Sequence, residues 1–367
     1  MFDAEAWARV PFHFWSFTFF VFGCIVGSFL NVCIHRMPIG QSVVSPPSHC
    51  PHCNYSIPWY LNIPLVTWLY LRGKCANCRA PISIRYFLVE LLTGLVFLSC
   101  WLSFGHRSAV LALIYCLFLA GLIVATFIDF EHFIIPDEIT YGGMAVGVLC
   151  SILFPALHGA ETRLLSFGLS VLGLAVGGGL IYLVLRGGKL LFGRHRVKLA
   201  PASRLVFTET ALVLPDGTIP YEEIFYRKTD TITLEAAKVE LCDRCYWNVP
   251  VRIALLSSRL VIGEEELKPE EVPHMEVTTD TLVVPREAMG LGDVKFMAAI
   301  GAFLGWQAVI FSLAISSFIG AAVGLGLIAM RKHERSARIP YGPYIAAAAA
   351  IWIFVGYKWW RILFPGI

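Results

Sequence analysis

Long apolar runs recur along the chain, and they constrain its fold more than any other feature. Hydrophobic residues make up 57% of the 367 residues and charged residues only 15%, against about 25% charged in a soluble globular domain. A helix needs about 20 apolar residues to cross a bilayer. The sequence therefore predicts an all-α polytopic membrane protein with about eight transmembrane helices. The predicted spans are 14–35, 86–104, 108–128, 139–157, 164–186, 293–305, 307–329 and 342–362.

Basic residues concentrate in three segments between the spans, at 36–85, at the start of 187–289 and at 330–341. Cytoplasmic loops of membrane proteins carry an excess of Lys and Arg. We therefore expect these segments inside and both termini outside. The first span is expected to be retained, because no basic n-region and no small-residue cleavage pattern accompany it. The net charge of +3 is too small to indicate nucleic acid as a partner.

Two segments lack the composition of membrane helices. Residues 36–85 form a loop rich in Cys and Pro. Residues 187–289 contain short β-prone runs separated by turn signals such as PDG, which predicts a small antiparallel β domain. The predicted organisation is a first helix in 1–35, the cytoplasmic loop 36–85, helices two to five in 86–186, the β-rich cytoplasmic insert 187–289, and the last three helices in 290–367.

The loop carries two CxxC pairs, CPHC at 50–53 and CANC at 75–78. Two such pairs can bring four thiolates to one tetrahedral zinc ion. The candidate ligands are Cys50, Cys53, Cys75 and Cys78. Two disulfides or two redox pairs are the alternative, which the reducing conditions of an inner-face loop disfavour. A third pair, Cys242 and Cys245, could be redox-active or half of a metal site, but ordinary thiols of a β domain are favoured.

Two aspartates stand at predicted helix ends on the same side of the membrane. Asp129 ends the third span and Asp293, in GLGD, opens the sixth. Ionisable groups at membrane depth are functional candidates, although Asp137 and Asp293 could also cap their helices. Paired carboxylates share a proton and can activate water while polarising a carbonyl. A transporter that couples these carboxylates to protons or cations, and a thiol oxidoreductase using the CxxC pairs, are the rival interpretations.

Five sequence blocks occur in a distinctive order: GSFLNVCIHRMP (27–38), NIPLVTWLYLRGKCANC (62–78), ISIRYFLVELLTG (82–94), IDFEHFIIPDEIT (128–140) and GLGDVK (290–295). In this order they resemble the type IV prepilin peptidases, which are bifunctional leader peptidases and N-methyltransferases. The resemblance covers nearly the whole chain outside 187–289. That insert stands where compact members of the family have a short connection, and its partner and purpose are open.

The resemblance implies a GxGD membrane aspartic protease with Asp129 and Asp293 as its catalytic pair. It implies cleavage after Gly of the basic leader of pilin or type II secretion pseudopilin precursors, at the cytoplasmic face of the bacterial inner membrane. It also implies methylation of the new N-terminus with S-adenosylmethionine, although a peptidase without that activity is possible. Candidate methyl-donor residues in the matched blocks, which could equally be packing or anchoring residues, are Asn31, Arg36, Gly73, Lys74 and Glu90.

Overall fold

The computed structural model of the chain describes residues 11–192, 194–215, 217–221, 224–225, 230–285, 290–330 and 340–365. Among these, the residues up to Tyr182 and those from Leu291 onward form one compact unit, and Leu183–Gly290 form a second. The first unit is helical and holds both predicted aspartates and the four predicted zinc ligands. The second holds the β structure.

The helices follow the predicted apolar runs. In chain order they are α1 (Phe12–Arg36), the short α2 (Val66–Tyr70), α3 (Ile84–Phe104), α4 (Ala109–His132), α5 (Asp137–Leu153), α6 (Arg163–Phe192), α7 (Leu291–Leu304), α8 (Trp306–Ala329), α9 (Gly342–Ile351) and α10 (Tyr357–Leu363). A π-helical turn, Trp352–Gly356, joins α9 to α10.

Five helical segments of the described chain are long and apolar enough to cross a membrane. They are Phe12–Ile39, Ile84–Phe104, Ala109–His132, Arg163–Leu190 and Trp306–Ala329. The other three predicted spans also form helix, but α5 has 17 residues, α7 has 14, and the last is interrupted by its π turn. Fourteen residues make about 21 Å of helix, less than the roughly 30 Å hydrocarbon core. A total of eight spans therefore stays a prediction.

Helix α7 lies inside the bundle. Eight consecutive residues, from Phe296 to Phe303, are buried, as expected for a helix that is apolar on every side. Glycines let its neighbours approach closely. A Cβ built on Gly301 would lie 2.0 Å from the carbonyl oxygen of Gly173 in α6. Such close backbone contact is a common way to pack membrane helices, and it ties the C-terminal half of α7 to α6.

The second unit confirms the predicted β-rich insert. Its strands are β1 (Arg194–Phe207), β2 (Ala211–Leu214), β3 (Gly217–Pro220), β4 (Ile232–Glu240), β5 (Cys245–Ala254), β6 (Arg259–Ile262), β7 (Glu265–Leu267) and β8 (Met275–Pro285). They form one antiparallel sheet in the order β3-β2-β1-β8-β4-β5-β6-β7. Helix α6 runs on to Phe192, beyond the predicted end at 186.

Alternation of apolar and polar residues gives the sheet its buried face. Along β4, Ile232, Leu234 and Ala236 are buried while Glu235 and Ala237 are exposed, which is the period of two that a strand with one covered face requires. A partly buried ion pair adds to this core. The ammonium of Lys189 donates to the carboxylate of Asp230 over 2.6 Å, and the Asp230 side chain is 1% exposed.

Candidate functional site

Asp129 lies three residues before the end of α4, at a sharp reversal of the chain. The helix ends because Phe133 adopts a left-handed conformation (φ 55°), and its amide donates to the Asp129 carbonyl. The Asp129 side chain is buried, with the residue 5% exposed. Its Oδ2 accepts a hydrogen bond of 2.9 Å from the amide of Gly342 at the start of α9. A carboxylate is thus held at the end of a mostly apolar helix.

Ile135, in the turn between α4 and α5, connects the two aspartate motifs. Its Cβ lies 3.5 Å from the position that a Cβ on Gly292 would occupy, and its Cδ1 lies 3.2 Å from the same position on Gly342. Gly292 immediately precedes Asp293, and Gly342 contacts Asp129. Asp293 is also buried, at 9% exposed. The structure therefore brings the two predicted motifs to one end of the helix bundle.

A second contact joins the same helix ends. The ammonium of Lys295 pairs with the carboxylate of Asp137 and lies 5.0 Å from the centre of the Tyr141 ring. Asp137 starts α5, as the capping hypothesis requires, but the N-cap residue is Pro136 and makes no side-chain cap. Asp293 is inside the first turn of α7 and is not its N-cap. The pairing with Lys295 explains Asp137 better than capping does.

The position of the carboxylates bears on the transporter alternative. That alternative expects acidic residues deep within the spans. Asp129 is instead near the last turn of α4, and Asp293 is the third residue of α7. Both acidic groups therefore lie at helix ends and not in the middle of a span.

The four cysteines of the loop come together as the spacing predicts. One sulfur from each of Cys50, Cys53, Cys75 and Cys78 lies within 4.8 Å of the other three. The Cys50 and Cys78 sulfurs are 3.8 Å apart, and those of Cys53 and Cys75 are 4.0 Å apart. Four sulfurs bound to one zinc ion at about 2.3 Å lie roughly 3.8 Å from each other. The four sulfurs are not bonded to one another, and their separations suit ligands of one tetrahedral metal ion.

The two CxxC pairs form matching turns. In the first, His49 pairs with Ser56 and Asn54 is left-handed (φ 54°); in the second, Lys74 pairs with Pro81 and Arg79 is left-handed (φ 61°). The amide of Cys75 donates to Ala80 as that of Cys50 donates to Tyr55. Backbone N–H groups of Cys78 and Asn77 lower the pKa of Cys75 to about 6. The local backbone thus favours the thiolate form that metals bind.

A cavity of about 1020 Å³ lies between α1, α3 and the cysteine loop. Three of the five methyl-donor candidates line it, namely Asn31, Arg36 and Glu90. All three are buried, at 2%, 7% and 8% exposed. Glu90 Oε2 accepts a 2.7 Å hydrogen bond from the amide of Leu65. The cavity therefore combines apolar walls with a buried acid, a buried base and an amide, as ligand pockets commonly do.

Two polar side chains of this cavity, Asn31 and Arg36, have unused capacity for hydrogen bonds or ion pairs within the described part of the chain. Asn31 donates to the carbonyl of Tyr86 over 3.0 Å, but its buried Oδ1 has no hydrogen-bond partner in the described part of the chain. Arg36 donates to the Ser42 carbonyl over 3.0 Å. No carboxylate pairs with this buried guanidinium among the described residues. Buried polar groups are usually satisfied, so these two groups are candidates to contact a ligand.

Gly73 and Lys74 do not line the cavity. Gly73 is left-handed (φ 65°), and a Cβ there would lie 2.9 Å from the Trp68 ring. Its carbonyl accepts from the Ile82 amide over 2.7 Å. Lys74 pairs with Pro81 in the second cysteine turn. These contacts favour the alternative that both residues support the loop.

Cys242 lies in the turn between β4 and β5 and Cys245 begins β5, and both thiols are free and exposed. Across the turn, the amide of Leu241 donates to the carbonyl of Arg244 over 2.9 Å. Within the described ranges, these thiols belong to no group of three or more metal-ligating side chains. This placement agrees with the interpretation as ordinary thiols of a β domain.

Gly342 is a contact of Asp129 that the motif search did not predict. It follows Asp129 by 213 positions, so no local spacing joins them. The available signal was the run YGPY at 341–344, since proline in the first turn marks a helix start. Glu131, two residues after Asp129, pairs with Arg85 at the start of α3, which links that helix to the Asp129 end of α4.

Comparison with known proteins covers both parts of the site. The bacterial peptidase A24 N-terminal domain matches residues 21–104, which include the four cysteines and the cavity candidates. The type IV leader peptidase family matches 116–214 and 254–325, which include both aspartates. No solved structure matches the chain.

Curated relatives extend over nearly the whole sequence. The chain is 31% identical to a prepilin leader peptidase/N-methyltransferase of Aeromonas hydrophila, over 95% of this chain and 92% of the relative. It is 47% identical to one of Myxococcus xanthus over 40% of this chain and 45% of that protein. The motifs, the clustered helix ends and this near full-length similarity agree. The chain belongs to the type IV prepilin leader peptidase family.

Proposed function

We propose that this protein is a membrane aspartic endopeptidase that removes the leader of prepilin-like precursors and then methylates the new N-terminus. The observation that carries the proposal is the meeting of the two aspartate motifs at one end of the bundle, through Ile135, Gly292 and Gly342. Relatives named prepilin leader peptidase/N-methyltransferase support the same activity. Asp129 and Asp293 are the proposed catalytic pair.

The two carboxylates would act on a water molecule and the scissile carbonyl. In a pair that shares one proton, the ionised carboxylate takes a proton from a water molecule. The oxygen of that water attacks the carbonyl carbon. The protonated carboxyl donates to the carbonyl oxygen. The C–N bond then breaks as a proton passes to the leaving amine. Roles belong to the pair and not to either aspartate alone.

The orientation of the site follows from the basic loops. Their Lys and Arg content supports a cytoplasmic position for the aspartate end of the bundle, and the membrane would be the bacterial inner membrane. A precursor could then keep its apolar helix in the bilayer while its polar, basic leader reaches the two aspartates. The substrates would be type IV pilin or type II secretion pseudopilin precursors.

Zinc fits the cysteine cluster and would be structural there. Cys50, Cys53, Cys75 and Cys78 supply four sulfurs within 4.8 Å of one another. Four ligands would fill a tetrahedral zinc ion and leave no open position for substrate. The ion would lock the two matching turns together. Because Cys50 and Cys75 also line the cavity, the ion would shape that cavity without entering the chemistry.

The methyl donor is proposed to bind in the cavity of α1, α3 and the loop. S-Adenosylmethionine would supply an electrophilic methyl group to the new N-terminal amine. The Arg36 guanidinium would bind a ligand carboxylate, and Asn31 Oδ1 would accept from a ligand donor. Glu90 would hold the N-terminal ammonium and take its proton, so that the nitrogen lone pair is free to attack.

The proposal is tested on the reconstituted full-length protein with a prepilin-like substrate. Without S-adenosylmethionine, we expect the mass of the substrate's N-terminal peptide to fall by the mass of the leader. When S-adenosylmethionine is added, we expect the mass of the cleaved product to rise by that of one methylation. Cleavage without methylation would show that the protein is a peptidase without methyltransferase activity. Intact substrate across a panel of pilin and pseudopilin precursors would contradict the proposal.

Glu90→Gln is predicted to separate the two activities. Glutamine keeps an oxygen for the Leu65 amide but cannot take a proton, so methyl transfer to a pre-cleaved peptide should fall about 10²- to 10⁴-fold. Leader cleavage should stay near wild type. Glu161→Gln, an exposed carboxylate in the loop between α5 and α6, is the matched control. Methyl transfer at the wild-type rate in Glu90→Gln would remove Glu90 from the reaction.

A further inference from the structure

The segment Tyr341–Tyr344, which lies beyond the residues that the family model matches, is built into the aspartate site. The amide of Gly342 donates to Oδ2 of Asp129 over 2.9 Å, and both residues are buried. Gly342 also begins α9, so the positive end of that helix faces the carboxylate. Both features orient Oδ2 of Asp129.

Only glycine fits at position 342. A Cβ built there would lie 2.7 Å from Oδ2 and 3.3 Å from Cγ of Asp129, and 3.2 Å from Cδ1 of Ile135. Carbon and oxygen do not approach to 2.7 Å without displacement. Because the aspartate side chain is short and buried, its carboxylate cannot move away without leaving its position in the site.

The start of α9 is itself anchored to α8. The Tyr341 hydroxyl hydrogen-bonds Ser316 over 2.8 Å and lies 3.2 Å from the Ser317 hydroxyl. Pro343 stands in the first turn of the helix. On the next turn of α8, the Tyr344 ring lies 3.3 Å from the Cβ position of Gly320. The Gly342 amide is therefore held by its own neighbours and not by Asp129 alone.

We propose that Gly342 is a positioning residue of the peptidase, which fixes Oδ2 of Asp129 so that Oδ1 faces the proton shared with Asp293. The inference rests on the proposed function of the aspartate pair. It assigns a catalytic task to the YGPY segment, which contributes through its backbone. A misplacement of about 1 Å in such a group can reduce a rate by roughly 10²-fold.

Gly342→Ala in the full-length reconstituted protein tests this assignment. We expect kcat for leader cleavage to fall about 10²-fold, with KM for the precursor near wild type, because the leader's binding surface is unchanged. Methyl transfer to a pre-cleaved peptide should be retained, which excludes misfolding. The matched control is Gly121→Ala on α4 itself, where a Cβ meets nothing within 4 Å. Equal cleavage by the two variants would overturn the proposal.

A measurement independent of activity completes the test. Only two glycines in the sequence follow a tyrosine, Gly142 and Gly342, so labelling Tyr with ¹³C at the carbonyl and Gly with ¹⁵N selects two amides. Asp129→Ala should move the Gly342 amide proton upfield and leave the exposed Gly142 unchanged. An unchanged Gly342 resonance would overturn the hydrogen bond. If this resonance moves but no precursor is cleaved by wild-type protein, the proposed function fails and the contact stands.

Discussion

Asp129→Asn and Asp293→Asn will each reduce leader cleavage by about 10²- to 10⁴-fold, since each removes a group that exchanges a proton in the transition state. Asparagine keeps the shape of the side chain, and at position 129 its oxygen can still accept from the Gly342 amide. The loss therefore reports proton transfer and not collapse of the site. The measurement is the rate of leader removal, followed by the mass of the substrate's N-terminal peptide.

A double variant and a control at a neighbouring carboxylate test whether the two aspartates act as a pair. Residues that act as one unit are not additive, so Asp129→Asn with Asp293→Asn should be little worse than either alone. Asp137→Asn is the matched control, because Asp137 lies at the same helix ends but pairs with Lys295. Methyl transfer to a pre-cleaved peptide should continue in every variant. Cleavage that persists in both single variants would end the aspartate mechanism.

Cys50→Ser and Cys75→Ser will each remove the bound metal from the loop. A closed structural site depends on all of its ligands, and these two cysteines also line the cavity. We expect purified wild-type protein to hold about one zinc ion per chain and the variants to hold none. The loop between α1 and α3 should become sensitive to protease. Methyl transfer should fall far more than cleavage, because the aspartates stand on other helices.

The lone CxxC of the insert supplies the control for this experiment. Cys242→Ser and Cys245→Ser change exposed thiols, unlike the buried Cys50 and Cys75, and these thiols belong to no metal cluster in the described chain. Their zinc content and both activities should match the wild type. A Cys50→Ser protein that keeps its zinc, or a wild-type protein that holds none, would contradict the structural metal site.

Sequence patterns predicted those parts of the fold and the site that are formed by residues close together in the chain. Each CxxC turn is made within eight residues, from His49 to Ser56 and from Lys74 to Pro81, so its spacing is readable in the chain. The apolar runs that became α1, α3, α4, α6 and α8 are long enough to be recognised by composition alone. The β-prone runs of the insert were readable for the same reason.

The remaining features depend on contacts between distant segments. The Asp129 to Gly342 bond spans 213 positions and the Asp137 to Lys295 pair spans 158, and no periodicity encodes either. Helix α7 was predicted as a span because it is apolar, but its burial among neighbouring helices is a tertiary contact that composition does not encode. Gly73 and Lys74 were equally plausible as ligand contacts until the turn geometry placed them outside the cavity.

The elements that precede and follow the insert are neighbours within each unit. In the helical unit, α6 and α7 touch backbone to backbone at Gly173 and Gly301. In the sheet, the first and last strands are hydrogen-bonded neighbours, with Arg194 opposite Pro285. When the two ends of an inserted segment lie close together, closing the loop that contains it costs little chain entropy. Such a segment can be removed as a unit. Evolution could therefore add, exchange or delete it in one event without disturbing the register of the helices that carry the chemistry.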